Sequence, residues 1–238
     1  NREPYELDPR MFEGRLPSFA NTRSMRVAGG LGTVARVVGD AQEIYDQRIP
    51  VDDALARIES LYKPYHRALR RLFTRLHRDF GAAMLIDCHS MPSSAGHRDE
   101  RARPEFVLGD RYGTSCVGAV AETVEKTLRA LGYTVSRNKP YAGGFITEHY
   151  GNPAAGLHAI QIEFNRALYM NERRFERSAG FARLADQHIG LVAAHQVFEC
   201  PEVLFPSNDL PIVVIGERST RYGLLAADEQ VALADGVL

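Results

Sequence analysis

The sequence carries almost no net charge: 29 lysine and arginine side chains stand against 30 aspartates and glutamates, a formal balance of −1. Such a chain lacks the overall field that holds nucleic acid or an anionic membrane, so a small-molecule partner is expected. Cysteine is scarce as well, with only Cys88, Cys116 and Cys200, widely spaced and in apolar surroundings. An odd, scattered set argues against a disulfide framework or a cysteine-rich zinc module and favours a reducing compartment. No run of about 18 apolar residues is available to cross a bilayer, and the opening NREPYELDPRMF lacks the regions of a signal peptide. A cytoplasmic protein is the expectation. Internal repeats and low-complexity segments are missing too, and with an even composition over 238 residues this predicts one domain, 1–238.

What is present is an alternation of helical and strand-like periods. Apolar residues recur every three or four positions from Val51 to Gly81, which predicts an amphipathic helix kinked at Pro64 and ended by Gly81. AAMLID then reads as a buried strand. A second helix with Val117, Val120, Val124, Leu128 and Leu131 on one face leads through Gly132 to the strand YTVSRN. LHAIQIEFNR, residues 157–166, reads as a further strand, and a last long helix is expected over about 175–199. This order predicts a three-layer α/β fold, a mostly parallel or mixed central sheet with helices on both faces. The glycine-rich and polar stretches MPSSAGHRDERARPEFVLGDRYGTS and KPYAGGFITEHYGNPAAG read as functional loops. Beyond Pro206 only PIVVIG suggests a strand, and 206–238 carries no chemical signal.

Strand alternation puts Asp87 and His89 on one side and Cys88 and Ser90 on the other. A Cys88–His89 dyad is therefore disfavoured, Cys88 reads as buried and inert, and Ser90 lacks the glycine-flanked elbow of a hydrolase nucleophile. His89, where a buried strand opens into a polar loop, suits a metal ligand or an acid/base group. On the strand QIEFNR, Gln161, Glu163 and Asn165 share a face, and a glutamate there is costly to bury unless paired or catalytic. A zinc hydrolase would use His89 as a ligand and Glu163 as the base acting on water, with about three protein ligands in all.

The other histidines offer less. His97 to Glu100 has metal-like spacing but no framing element, and is expected to face solvent. His149, in a glycine-rich loop before the Glu163 strand, is the better candidate for holding metal or substrate. His188 and His195 read as helix packing; His66, His77 and His158 read as structural. Arg2, Arg23, Arg26, Arg98, Arg103, Arg111 and Arg166 lie in or beside loops, where guanidinium groups recognise carboxylates. RVAGGLGTVARV lacks the lysine and the framing of a nucleotide-phosphate loop.

Six ordered segments, NREPYELDPRMF, SMRVAGGLGTVARVV, LIDCHSMPS, FVLGDRYGTSC, YAGGFITEHYG and QIEFNRALYMNE, closely resemble the N-formylglutamate amidohydrolase family, which has a zinc carboxypeptidase-like fold. The resemblance implies that His89 is the third zinc ligand, Glu163 the catalytic glutamate, and Asn1 with Arg2 the pair that grips a substrate carboxylate. Asp87 would support His89, and Arg111 could meet the side-chain carboxylate of glutamate. The resemblance also places the other two zinc ligands upstream of the Asn-Arg pair, where this chain begins. It implies hydrolysis of N-formyl-L-glutamate to formate and glutamate in histidine degradation. Two alternatives stand beside it: hydrolysis of another N-acyl amino acid or a cell-wall peptide, and a metal-free binding module that has lost hydrolysis.

Overall fold

The first residues of the chain are tied down by short pieces of structure. In the computed structural model, residues 1–38, 41–93, 104–186, 212–216 and 224–225 are described. The chain divides into two units, 1–71 and 72–236. In the first, β1 (Phe12–Glu13) is followed by a single helical turn, α1 (Met25–Ala28), and by β2 (Ile49–Pro50), which pairs in parallel with β1. Its core gathers Leu7, Met11, Phe12, Val34, Val51, Ala54 and Ile58. Asp8, fully buried beside them, accepts from Arg10 Nε at 2.9 Å, Arg10 Nη2 at 2.8 Å and Arg36 Nε at 3.0 Å. Burial pushes the Asp8 carboxyl up, but these hydrogen bonds outweigh it and leave the pKa below its ordinary value.

The predicted helix over 51–81 forms as α2 (Val51–Arg57), a π-helical turn (Ile58–Tyr62) and α3 (Lys63–Phe80). The expected break at Pro64 takes the form of that widened turn, in which the Lys63 N–H reaches back five residues to the Ile58 carbonyl. The proline has no N–H to give to the carbonyl four residues before it, and its ring crowds that carbonyl; widening the preceding turn relieves both. On α3, His66, Leu69, Phe73 and Leu76 fall on one buried stripe. Gly81, with φ of +76°, supplies the left-handed residue that ends it.

The second unit is built on a sheet. β3 (Ala83–Met91), β4 (Phe106–Gly109), β5 (Val135–Arg137) and β6 (Leu157–Asn165) join β9 (Ile212–Gly216) and β10 (Leu224–Leu225) in the order β10-β9-β3-β6-β4-β5; β7 (Met170–Asn171) and β8 (Glu176–Arg177) make a separate hairpin. β3 runs parallel to both β6 and β9, β4 is parallel to β5, and the β4–β6 and β10–β9 pairs are antiparallel. The sheet is therefore mixed. PIVVIG does form a strand, against β3. Between β5 and β6 comes α5 (Phe145–Tyr150), and before β5 comes α4 (Gly118–Ala130). α4 buries Val120, Val124 and Leu128 on one face of the sheet against Met84, Ile86, Phe106, Leu108, Ile160 and Ile162. α5 lies against β6 and β3 over the other.

Three expectations about element bounds are corrected. The strand read as AAMLID continues through His89 and Ser90 to Met91, because its parallel pairing with β6 runs on to Met91 after the pairing with β9 stops at Cys88, and that ladder carries the extended chain past the polar residues. FVLG, read as part of a functional loop, is the fully buried β4. The helix expected from about 175 starts at Gly180 as α6 (Gly180–Asp186): the chain before it is spent in the β7–β8 hairpin, whose turn is closed by Asn171 Oδ1 accepting from the Arg173 and Arg174 N–H groups. His97, Arg98, Glu100, Arg103, His188, His195 and Cys200 lie outside the described residues.

Candidate active site

The face of the sheet opposite α4 carries the polar residues. Asp87 and His89 alternate on β3, Gln161 and Glu163 on β6, and the parallel register pairs Asp87 with Gln161 and His89 with Glu163. Neighbouring strands lie about 4.8 Å apart, so four polar side chains are brought onto one small patch. All four are buried. Taken from water without partners, each would cost several kcal/mol, so the pairing within the patch is what permits it.

His89 Nε2 stands 3.0 Å from Asp87 Oδ1. A carboxylate on one ring nitrogen fixes the imidazole's orientation and tautomer, as such groups do behind metal-binding histidines. Gln161 Nε2 donates to Glu163 Oε1 at 2.7 Å, while Gln161 Oε1 accepts from the Gly144 N–H at 2.9 Å. The glycine loop reaches this deep because Gly109, paired with Gln161 on β4, has no side chain: a Cβ there would lie 2.5 Å from the Gly143 nitrogen. Gly143 itself has φ of +110° and leaves no room for a side chain beside Thr147 Oγ1, so only glycine suits it.

Tyr141, on the same loop, escaped the reading of the sequence. Burial and the nearby Glu163 charge push its phenol pKa up, with Arg166 pulling slightly the other way, so it stays protonated beside the carboxylate. The only trace in the sequence was a tyrosine two positions before a Gly-Gly pair. Arg166, at the end of β6, rests on Ser90 with Nε 3.2 Å from the hydroxyl oxygen. Burial, then the Asp87 charge, push the Cys88 thiol up to about 12, which disfavours a reactive thiolate, and burial takes Cys116 to about 12 as well.

Arg111 and His149 are placed at the loop and at α5. Arg111 Nη2 pairs with Glu148 Oε2 at 2.9 Å, and its side chain passes close to Gly143. His149 is exposed and stacks on Phe145, with ring centroids 4.9 Å apart. In the first unit, Arg2 donates from Nε to the Leu31 carbonyl and from Nη1 to the Asn1 carbonyl, both at 2.8 Å, and Tyr62 donates to the Arg2 carbonyl. His66 and His158 are buried, and the His77 ring nitrogen meets the Ala155 carbonyl at 2.8 Å, all in structural surroundings.

A catalytic zinc takes about three protein ligands. Among the described residues no group of three or more His, Cys, Asp or Glu could hold a metal. The described residues thus offer one imidazole with its orienting carboxylate and fall short of a full metal shell.

The profile of the N-formylglutamate amidohydrolase family matches residues 1–170. The chain belongs to that family. A Pseudomonas putida protein named N-formylglutamate deformylase is 40% identical over 116 residues, which is 48% of this chain and 43% of the relative. Another of that name, from Pseudomonas aeruginosa, is 36% identical over 136 residues, 57% of this chain and 49% of the relative. The chain spans about half the length of these curated relatives. The crystal structure of N-formylglutamate amidohydrolase from Ralstonia eutropha JMP134 matches with a TM-score of 0.77 at 35% identity, covering 86% of this chain and 74% of that one. The fold is therefore the family's. Among the described residues no helix is long and apolar enough to cross a membrane.

Proposed function

We propose that the chain hydrolyses the formyl amide of N-formyl-L-glutamate, releasing formate and glutamate as a step of histidine breakdown in the cytoplasm. The observation that carries this is the register pairing of His89 with Glu163 on one buried face, in a chain of this family. Glu163 takes a proton from the attacking water and hands it to the leaving amine, so that the amine departs neutral. Gln161 holds one oxygen of that carboxylate, and Tyr141 keeps an O–H donor beside it. Zinc is proposed as the metal, with His89 among its ligands; it requires donors beyond the described residues. Arg2 with Asn1 is proposed to hold the α-carboxylate, on the strength of the resemblance. Arg111 is proposed for the side-chain carboxylate, for which it must exchange its pairing with Glu148; His149 remains a candidate for substrate contact from the exposed side of α5.

The test is a comparison of kcat/KM across a panel of N-acyl amino acids together with the Glu163→Gln variant. N-formyl-L-glutamate should rank among the best substrates, and the variant should lose about 100- to 10,000-fold in kcat. A kcat/KM for N-formyl-L-glutamate that is not among the best, or near-normal turnover without the carboxylate, overturns the substrate or the base respectively.

A further inference from the structure

We infer that Gln161 is a positioning residue that fixes the orientation of the Glu163 carboxylate as it takes up the proton. The inference rests on the proposed role of Glu163 as base, and its starting point is the polarity of a short hydrogen-bonded chain. A backbone N–H can only donate, so the atom of the Gln161 amide that faces Gly144 at 2.9 Å is its carbonyl oxygen. The NH2 group is then turned toward Glu163, where it donates to Oε1 at 2.7 Å. Oε1 thereby accepts from a donor that is itself held in place, and this orients the carboxylate for the proton it takes from water.

The donor at the head of the chain is itself held in place. Gly144 belongs to the loop that rests on Gly109, and the loop's Ala142 carbonyl accepts from the Arg111 N–H at 2.8 Å. Thr147 Oγ1 donates to the Gly144 carbonyl at 2.8 Å. Gln161 is buried, with 4% of its surface exposed, so water does not readily substitute for either contact. A glutamine chosen only to fill space would gain nothing from joining a rigid donor on one side to a catalytic carboxylate on the other. Its amide geometry transmits the position of the loop to the base.

Gln161→Met keeps the shape and removes both hydrogen-bonding groups. The full chain carrying it should lose about 10- to 100-fold in kcat toward N-formyl-L-glutamate, with KM within about threefold of wild type, because substrate binding is untouched while the base is misaligned. In a Glu163→Gln background the same substitution should cause no further loss, since a residue acting through Glu163 has nothing left to position. Unchanged kcat in the single variant, or a loss that multiplies in the double variant, overturns the inference.

A second measurement needs neither turnover nor a Gln161 variant. In nuclear magnetic resonance spectra of the wild-type chain, the Gln161 side-chain amide protons should exchange with solvent at least about tenfold more slowly than those of free glutamine, and should shift in Glu163→Gln. Fast exchange, or signals indifferent to Glu163→Gln, overturns the relay even if the enzyme is active. A protected, Glu163-sensitive amide in a chain that hydrolyses no N-acyl amino acid sustains the contact and overturns the functional reading instead.

Discussion

At the scale of single residues, the site depends on pairs in which one member disciplines the other. Asp87 does this for His89 at 3.0 Å, as Gln161 does for Glu163. The alternation of polar residues in LIDCHS and QIEFNR showed which side chains share a face, and that much was legible before any coordinates. What the alternation leaves open is the partner across the strand, because register between distant strands is not written in either strand alone. The Asp87–His89 contact yields a prediction. On the proposed role of His89 as a zinc ligand, Asp87→Asn should weaken zinc binding by about 10- to 100-fold, since the orienting carboxylate is lost while the imidazole remains, and His89→Ala should weaken it further. Competition with a chromophoric chelator measures both; a wild-type affinity in Asp87→Asn would show that the carboxylate does not serve the imidazole.

At the scale of elements, the segment after β4 shows how a fold spends stability to place a loop. Arg111 and Tyr112 have φ of +53° and +56°, and Asn138 has +59°, all in the left-handed region that ordinary residues avoid. Asp110, buried at the turn, accepts from Gly113 N–H at 3.2 Å, Asn138 Nδ2 at 2.6 Å and Arg137 Nη2 at 2.5 Å, and Asn138 Oδ1 returns a contact to the Asp110 N–H. Burial pushes the Asp110 carboxyl up, but Asn138, Arg137 and Gly113 outweigh it and hold the pKa below its usual value. This cluster ties the ends of β4 and β5 together where the glycine loop begins. Asp110→Ala should therefore destabilise the protein by about 3 kcal/mol, because it strands a partly buried guanidinium and removes what offsets the strained turn. The denaturant midpoint reads this out, and a change below about 1 kcal/mol would assign the turn to some other anchor. None of this was legible in GDRYGTS, which has the composition of any polar loop. The turn is decided by Arg137 and Asn138, 27 and 28 positions later, on β5 and just beyond it.

At the scale of the whole molecule, buried titratable groups set how stability follows pH. His158 is buried, and burial alone pulls its pKa below the ordinary value near 6.5, since the imidazolium cannot keep its hydration there. The unfolded chain therefore binds a proton that the folded one refuses. This contribution to stability is fully present above about pH 6.5 and is lost as the pH falls below it. Asp8 and Asp110, whose pKa values are lowered, act in the same direction lower down: their contribution holds above about pH 4 and is lost as the pH falls through their folded values. Denaturant midpoints from pH 7.5 to pH 3 should fall in two stages, and His158→Phe should remove the first. An identical first stage in that variant would place the titration elsewhere.

The sequence by itself determined the α/β class, the helices ending at Phe80 and Ala130, the strand leading into His89 and the one carrying Glu163, and the family, because periodicity and short motifs are local properties of a chain. It also singled out His89, by its place where a strand meets a polar loop, and Glu163, by the cost of burying a carboxylate without a partner, as the candidates now proposed for the chemistry. Tertiary structure alone decided that they stand side by side, that FVLG is a buried strand against β6, and that a glycine loop descends onto Gly109 to hold Gln161. Each of these depends on strands and loops far apart in sequence, whose pairing is settled by the packing of the entire sheet. A local pattern can name the side chains that chemistry needs, but the hydrogen-bond partner that aims each one is chosen only when the strands meet.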